Sequence, residues 1–193
     1  MKIEKKRETL ETSIQLLLSD ERDAKETEID TGVGFFDHML TLFSFHSDLY
    51  LEVKADGDTE VDDHNTVEDI GILLGESIRE LYQERVSYRR YGSMYLPMDE
   101  SLARVVLDLS GRPHLNFQAR FSKEKVGVFD VELVEEFFNA LAMNSRMTLH
   151  IDLLKGGNTH HEIEGIFKAF ARALKEALEI VEGGVPSSKG LIQ

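Results

Sequence analysis

"DHNTVEDIG", residues 63–71, returns half a chain later as "THHEIEGIF", residues 159–167. His64 falls on His160, and Glu68 falls on Glu164. A segment that recurs at this distance marks a chain built from two copies of one structural unit. The repetition extends upstream, where "DHMLTLFSFHSDLYLEV" (37–53) sets against "EEFFNALAMNSRMTLHI" (135–151). Phe43 meets Leu141, Ser47 meets Ser145, Leu51 meets Leu149 and Val53 meets Ile151, with a connection two residues shorter in the second copy. Few residues are identical; the order of polar and apolar positions is what repeats.

Each copy reads as strand, strand, helix, strand, helix. In the first, "TSIQLLL" (12–18) is β-compatible, and the acidic, turn-rich stretch 19–32 follows. Phe36, Met39, Leu40 and Phe43 recur at three-to-four spacing, which predicts a helix over 36–46. "LYLEVKA" (49–55) alternates as a strand, Gly57 and Asp58 turn the chain, and a long helix covers 64–85. The second copy repeats this with strands over 101–109 and 114–121, a helix over 131–144, a strand over 147–154 and a helix over 160–181. The expected class is α+β, each unit a sheet with helices on one face. The units divide as 1–92 and 93–193 within one compact domain, with the connection near "RRYGSMYLP" (89–97). Tyr91, Tyr95 and Leu96 are expected to pack there, and 182–193 reads as loop.

Composition bounds the function. The 193 residues are 41% hydrophobic, enough for a packed core, and the formal net charge is −14. That charge argues against nucleic acid as a partner, yet a small phosphorylated substrate needs only a local basic pocket. No apolar run is long enough to span a membrane, and "MKIEKKRETL" lacks the apolar core of a signal peptide. Cysteine is absent, so a cytosolic home is expected.

On a helix turning about 100° per residue, Val67, Ile70, Leu74, Ile78 and Leu81 form one apolar stripe, with His64 and Glu68 on the face beside it. Ile163, Ile166, Phe170, Leu174 and Val181 form the same stripe relative to His160 and Glu164. One His-x-x-x-Glu pair is an ordinary surface contact. Two pairs in the same relation to a repeat point to metal, and imidazole with carboxylate suits Mn²⁺, Fe²⁺ or Zn²⁺, several carboxylates and no thiols favouring a hard ion. His38 and its counterpart Glu136 sit on the preceding helix of each copy and can also ligate.

The motifs "GFFDHML", "DDHNTVEDIG", "RRYG", "DLSGRP", "NTHHEIEGIFKAFARAL" and "PSSKG", in this order, resemble those of the imidazoleglycerol-phosphate dehydratases of histidine biosynthesis. The resemblance covers almost the whole chain. It implies a duplicated α+β unit of the ribosomal protein S5 domain 2-like kind, a shell of 24 subunits, and two Mn²⁺ ions per active site held between subunits. It implies removal of water from imidazoleglycerol phosphate to give imidazoleacetol phosphate. The implied metal ligands are His38, His64, Glu68, His160, His161 and Glu164, with Glu136 and Asn65 as further candidates. Glu11, in "LET", stands where the family has a glutamate acting as acid or base; His38, Glu68 and Glu164 are also assigned to the catalytic set. His46 lines the same region or simply ends a helix. The implied phosphate contacts are Arg90, Arg112, Lys168, Ser187, Ser188 and Lys189, in which arginine forks, serine hydroxyls and ammonium groups match a phosphate monoester.

The first copy departs from this pattern. The family has His-His in both repeats, whereas His64 is followed by Asn65, a neutral oxygen donor where an imidazole is expected. Two alternatives follow: a metal-impaired, non-catalytic variant of the same shell-forming protein, and a dinuclear metallophosphatase acting on the ester.

Overall fold

Ile14, Leu16 and Leu18 alternate with Ser13 and Gln15, so the run around them forms a strand with one face buried. In the computed structural model, which describes residues 1–21, 27–57, 61–184 and 186, this strand is the second of the chain. The first unit comprises β1 (Lys2–Glu8), β2 (Thr12–Ser19), β3 (Glu28–Asp30), α1 (Gly34–Ser47), β4 (Tyr50–Gly57) and α2 (His64–Gln83). The second comprises β5 (Tyr91–Met98), β6 (Ser101–Asp108), β7 (His114–Gln118), a short hairpin of β8 (Lys125–Val126) and β9 (Phe129–Asp130), α3 (Leu133–Ser145), β10 (Thr148–Lys155) and α4 (Thr159–Ala177).

The sheets have identical topology. The first runs β1-β2-β4-β3 and the second β5-β6-β10-β7. In each, the third strand of the unit lies parallel to the last, and the other pairs are antiparallel. Leu51 and Val53 pair with Leu18 and Leu16, while Leu149 and Ile151 pair with Leu107 and Val105. All eight are buried. The repeat reaches the backbone: Asp48 and Arg146, aligned after α1 and α3, both adopt left-handed conformations, with φ of 65° and 55°. The α+β tandem fold is therefore as the sequence predicts.

Each four-stranded sheet carries one more strand than the sequence spacing suggests, and the second unit adds the β8–β9 hairpin. β1 alternates charged residues, so its apolar signal is Ile3 alone. β5 occupies the stretch read as a connection, and its glycine has a packing reason. A Cβ at Gly92 would sit 1.9 Å from the carbonyl oxygen of Ala173, so only glycine lets β5 lie against α4. The expected packing of Tyr91 and Tyr95 is corrected: both rings are exposed, under the guanidinium groups of Arg90 and Arg104 at 4.8 and 6.0 Å, while Leu96 packs on the core. α4 ends at Ala177, short of Val181, because the Ala177 and Glu179 carbonyls accept from Arg90 and Arg89 of the connection.

The helices of one unit pack on those of the other, between the sheets. α1 runs parallel to α4, with Phe35 on His160, Phe43 on Phe170 and Asp48 bonded to Lys175. α2 runs parallel to α3, with Gly71 against Phe137, Gly75 against Leu141, and the Tyr82 hydroxyl donating to the Ser145 carbonyl at 2.8 Å. Phe137 touches both Phe36 and Phe167, at 5.2 and 5.4 Å. All four helices therefore begin at the same end of the molecule.

Close α2–α3 packing requires glycine. A Cβ at Gly75 would stand 2.6 Å from the Leu141 carbonyl oxygen, whereas one at Gly34 meets nothing within 4 Å. Alanine gains about 1 kcal/mol in a helix interior, but overpacking costs about 1–3 kcal/mol. Gly75→Ala is expected to lower stability by up to about 2 kcal/mol and Gly34→Ala not to lower it, read as shifts in the denaturant midpoint.

Candidate active site

The start of α4 carries side chains that the rest of the fold keeps in place. Asn158 caps the helix, its side-chain oxygen accepting from His160 N at 3.0 Å. His160 and Glu164 lie one turn apart, with Nε2 of the ring 3.0 Å from Oε2 of the carboxylate. From α1, His38 brings Nε2 to 3.5 Å of the same oxygen. Donor atoms of His38, His160 and Glu164 all lie within 4.8 Å of one another. Two imidazoles and a carboxylate are a donor set that first-row divalent ions accept, so the residues fit a metal.

Glu164 is nearly buried, and its other oxygen pairs with Lys168. Burial pushes its carboxyl up, but the hydrogen bond and charge of Lys168, then His160 and His38, outweigh this and hold it below the ordinary value. The site thus carries an ionised carboxylate between basic groups.

His161 points elsewhere. Its Nδ1 lies 3.2 and 3.3 Å from the two carboxylate oxygens of Glu100, at the tip of the β5–β6 hairpin. Asp99 brings an oxygen to 3.9 Å of the same nitrogen. Backbone N–H donors of Glu100 itself and of Asn158, then His161, bring the Glu100 carboxyl down to about 2.

The first unit repeats the scheme with fewer donors. His64 Nε2 lies 3.8 Å from Glu68 Oε2 at the start of α2, and no third metal-ligating side chain joins them among the described residues. Asn65 is engaged with Glu11: its amide Nδ2 donates to Oε2 at 2.6 Å. The loop bearing Glu11 is tied down in turn. Thr9 Oγ1 accepts from Glu11 N and Thr12 N, and the Thr12 hydroxyl donates to buried Asp69 of α2 at 2.6 Å. Glu136 is half-buried on the first turn of α3 and enters no three-ligand group among the described residues.

The sequence profile of the imidazoleglycerol-phosphate dehydratases matches residues 31–174. The Staphylococcus carnosus imidazoleglycerol-phosphate dehydratase is 61% identical over 194 residues, covering all of both chains. That of Staphylococcus aureus is 58% identical over 191 residues, covering 98% of each. The chain belongs to the imidazoleglycerol-phosphate dehydratase family. The crystal structure of the Staphylococcus aureus dehydratase superposes with a TM-score of 0.86 at 55% identity, covering 94% of this chain and 100% of that one. The Pyrococcus furiosus dehydratase, solved with (S)-C348, gives 0.84 at 36% identity, with 97% and 99% covered. As a member of this dehydratase family the chain is a hydro-lyase.

The cations expected at the dehydratase's phosphate fall in two places within one chain. Arg90 donates to both oxygens of Asp108, at 2.7 and 3.1 Å, and Arg112 lies 3.8 Å from the same carboxylate. Arg90 also donates to the Pro186 carbonyl at 2.7 Å. Lys168 is with Glu164, about 13 Å along α4 from the Ala177 turn that holds Arg90. Ser187, Ser188 and Lys189 lie outside the described residues. His46 is half-buried near Lys168 and Arg172. Burial first, and then these two cations, push its ring below the ordinary value, with Glu164 opposing.

Glu100, Asp99 and Asp69 were missed in the sequence. Glu100 had a signal: like Glu11, it is an acid immediately before a hydroxyl residue that opens the second strand of its unit. Asp69 had none, since its partners Thr12 and Arg7 lie far away in sequence.

The depressed His46 value sets a pH dependence. Its folded value lies below the ordinary 6.5, so the unfolded chain takes up this proton first as pH falls. The stability contributed by neutral His46 is lost as pH drops through 6.5 towards the folded value. His46→Gln is expected to lose less stability than the parent between about pH 7.5 and 5.5, compared by urea denaturation at both. Equal losses would contradict this.

Proposed function

We propose that this chain dehydrates imidazoleglycerol phosphate to imidazoleacetol phosphate in histidine biosynthesis. Two divalent cations per active site, Mn²⁺ in the first instance, and more than one copy of the chain complete the site. The convergence of His38, His160 and Glu164, from helices of different repeats, carries this reading. Three protein donors leave coordination positions open, and His64, Glu68 and His161 lie outside that group. A neighbouring copy presenting its own donors fills those positions, which fits assembly into 24 subunits. The absence of cysteine fits a reducing, cytoplasmic setting.

Bound cations supply Lewis acidity towards the substrate's imidazole and departing hydroxyl. The chain's own side chains supply the rest. Loss of a proton from one carbon and of the hydroxyl from its neighbour releases the elements of water and leaves an enol, which tautomerises to the ketone of imidazoleacetol phosphate. The Glu11 carboxylate, held by the Asn65 amide on a backbone whose N–H donates to Thr9, takes up that proton. Arg90 and Arg112, with Ser187, Ser188 and Lys189, from one copy and Lys168 from a neighbouring copy bind the phosphate and so fix the reacting carbons against Glu11. Arg90 and Arg112 face Asp108 until a phosphate takes over their donors.

Glu11→Gln keeps the hydrogen bond from Asn65 and loses the base. Its kcat for imidazoleacetol phosphate is expected to fall about 10²–10⁴-fold, with KM within a few-fold. A mutant that no longer holds substrate would remove Glu11 from the proton-transfer role. Release of inorganic phosphate by the parent would instead favour the phosphatase.

The Asn65–Glu11 bond lends weight to one further reading. An amide committed to Glu11 leaves the first repeat one imidazole short, so one of the two metals is held more weakly. Asn65→His is expected to tighten Mn²⁺ binding at one site about 10–100-fold, measured by calorimetry, with the other site unchanged. Indistinguishable titrations of the two proteins would remove this reading.

A further inference from the structure

Glu100 stands in the same place in the second repeat as Glu11 in the first. Each precedes the second strand of its unit, and each reaches the residue after the aligned histidine of the long helix: Glu11 meets Asn65, and Glu100 meets His161. The partners differ, and so does the consequence. Asn65 offers an amide that has no tautomers, whereas His161 offers a ring whose hydrogen sits on either nitrogen.

The Glu100 carboxylate can only accept. With its oxygens 3.2 and 3.3 Å from Nδ1 of His161, that nitrogen must carry the hydrogen, and the lone pair of the neutral ring lies on Nε2. The carboxylate is itself held. Oε1 accepts from Asn158 N at 2.8 Å, at the cap of α4, and from the Ser101 hydroxyl at 3.2 Å. The backbone delivers it on a two-residue hairpin, Met98 pairing with Ser101, with Asp99 at φ 48°. Gly157 makes room: a Cβ there would stand 2.6 Å from Glu100 Cγ and 3.2 Å from Oε1.

We propose that Glu100 is a positioning residue that keeps the hydrogen of His161 on Nδ1 and reserves Nε2 for a divalent cation. A carboxylate behind a metal-binding imidazole fixes ring orientation and raises ligand basicity. The proposal rests on the metal reading above. It adds to that reading a carboxylate placed behind the ring, and a glycine that admits it.

Solid-state ¹⁵N-histidine NMR on the metal-free, assembled protein tests it, with the His161 signal assigned by its loss in His161→Gln. The parent should show His161 protonated on Nδ1. Glu100→Ala removes the acceptor and Gly157→Ala displaces it; both should admit the Nε2–H tautomer and weaken Mn²⁺ binding by calorimetry about 10–100-fold. Glu100→Gln retains a carbonyl that accepts from both His161 and Asn158, so it should keep the Nδ1–H ring and stay within a few-fold of the parent. That variant also separates the tautomer from any loosening of the α4 cap. A Glu100→Ala protein with the parent's tautomer and Mn²⁺ affinity would overturn the role of Glu100 alone. A parent protein that takes up no Mn²⁺ would overturn the metal reading and this proposal with it.

Discussion

α1 lies parallel on α4, and the register of that contact decides what the molecule can bind. Phe43 stacks on Phe170 at 5.8 Å, and Asp48 and Lys175 close the far end at 2.9 Å. At the near end the same register leaves His38 3.5 Å from Glu164. A slip of one helical turn, about 5.4 Å, would carry His38 out of reach of both His160 and Glu164. The site is thus a by-product of apolar packing between the two repeats. Phenylalanines build the helix interface, and its register aligns the polar first turns. Gly71 and Gly75 serve α2 and α3 in the same way, setting their separation where Cβ atoms would hold them apart.

Because all four helices start at one end, their amide N–H groups concentrate positive potential there, each terminus equivalent to roughly half an elementary charge. That end carries the candidate ligands Glu68 and Glu164, with Asp37 in the first turn of α1 and Asp63 at the N-cap of α2. The potential does not act alone. Asp63 sits at the N-cap of α2, yet burial, then Asp130 and Asp62, raise its carboxyl, with Lys125 opposing. Elsewhere, the cations proposed to take the phosphate are paired with carboxylates, Arg90 and Arg112 with Asp108 and Lys168 with Glu164. In that proposal a chain of net charge −14 needs only local cations, not a basic surface.

Much of this was legible in the sequence, for definite reasons. The stripes through Val67, Ile70 and Leu74 and through Ile163, Ile166 and Phe170 are period signals, and every one of these residues is buried. The pairing of His160 with Glu164 follows from helix geometry alone. β1 and β5 were not legible, because edge strands carry alternating charges or glycine and proline in place of an apolar pattern. Tertiary contacts between distant residues leave no periodic trace. That is why the Asn65–Glu11 and Glu100–His161 bonds, and the anchoring of Thr12 by Asp69, appear only in three dimensions. The duplication still connects them, since what the first repeat does with Glu11 directs attention to Glu100.

The central claim is that duplicated imidazole–carboxylate turns, aligned by helix packing, hold divalent cations. Anomalous diffraction at the manganese edge, from crystals of the assembled protein grown with Mn²⁺, tests it most directly. The account predicts one anomalous peak bounded by His38, His160 and Glu164 and a second in each active site bounded by His64 and Glu68. Ordered His38, His160 and Glu164 side chains with no manganese signal between them, in crystals saturated with the ion, would contradict it.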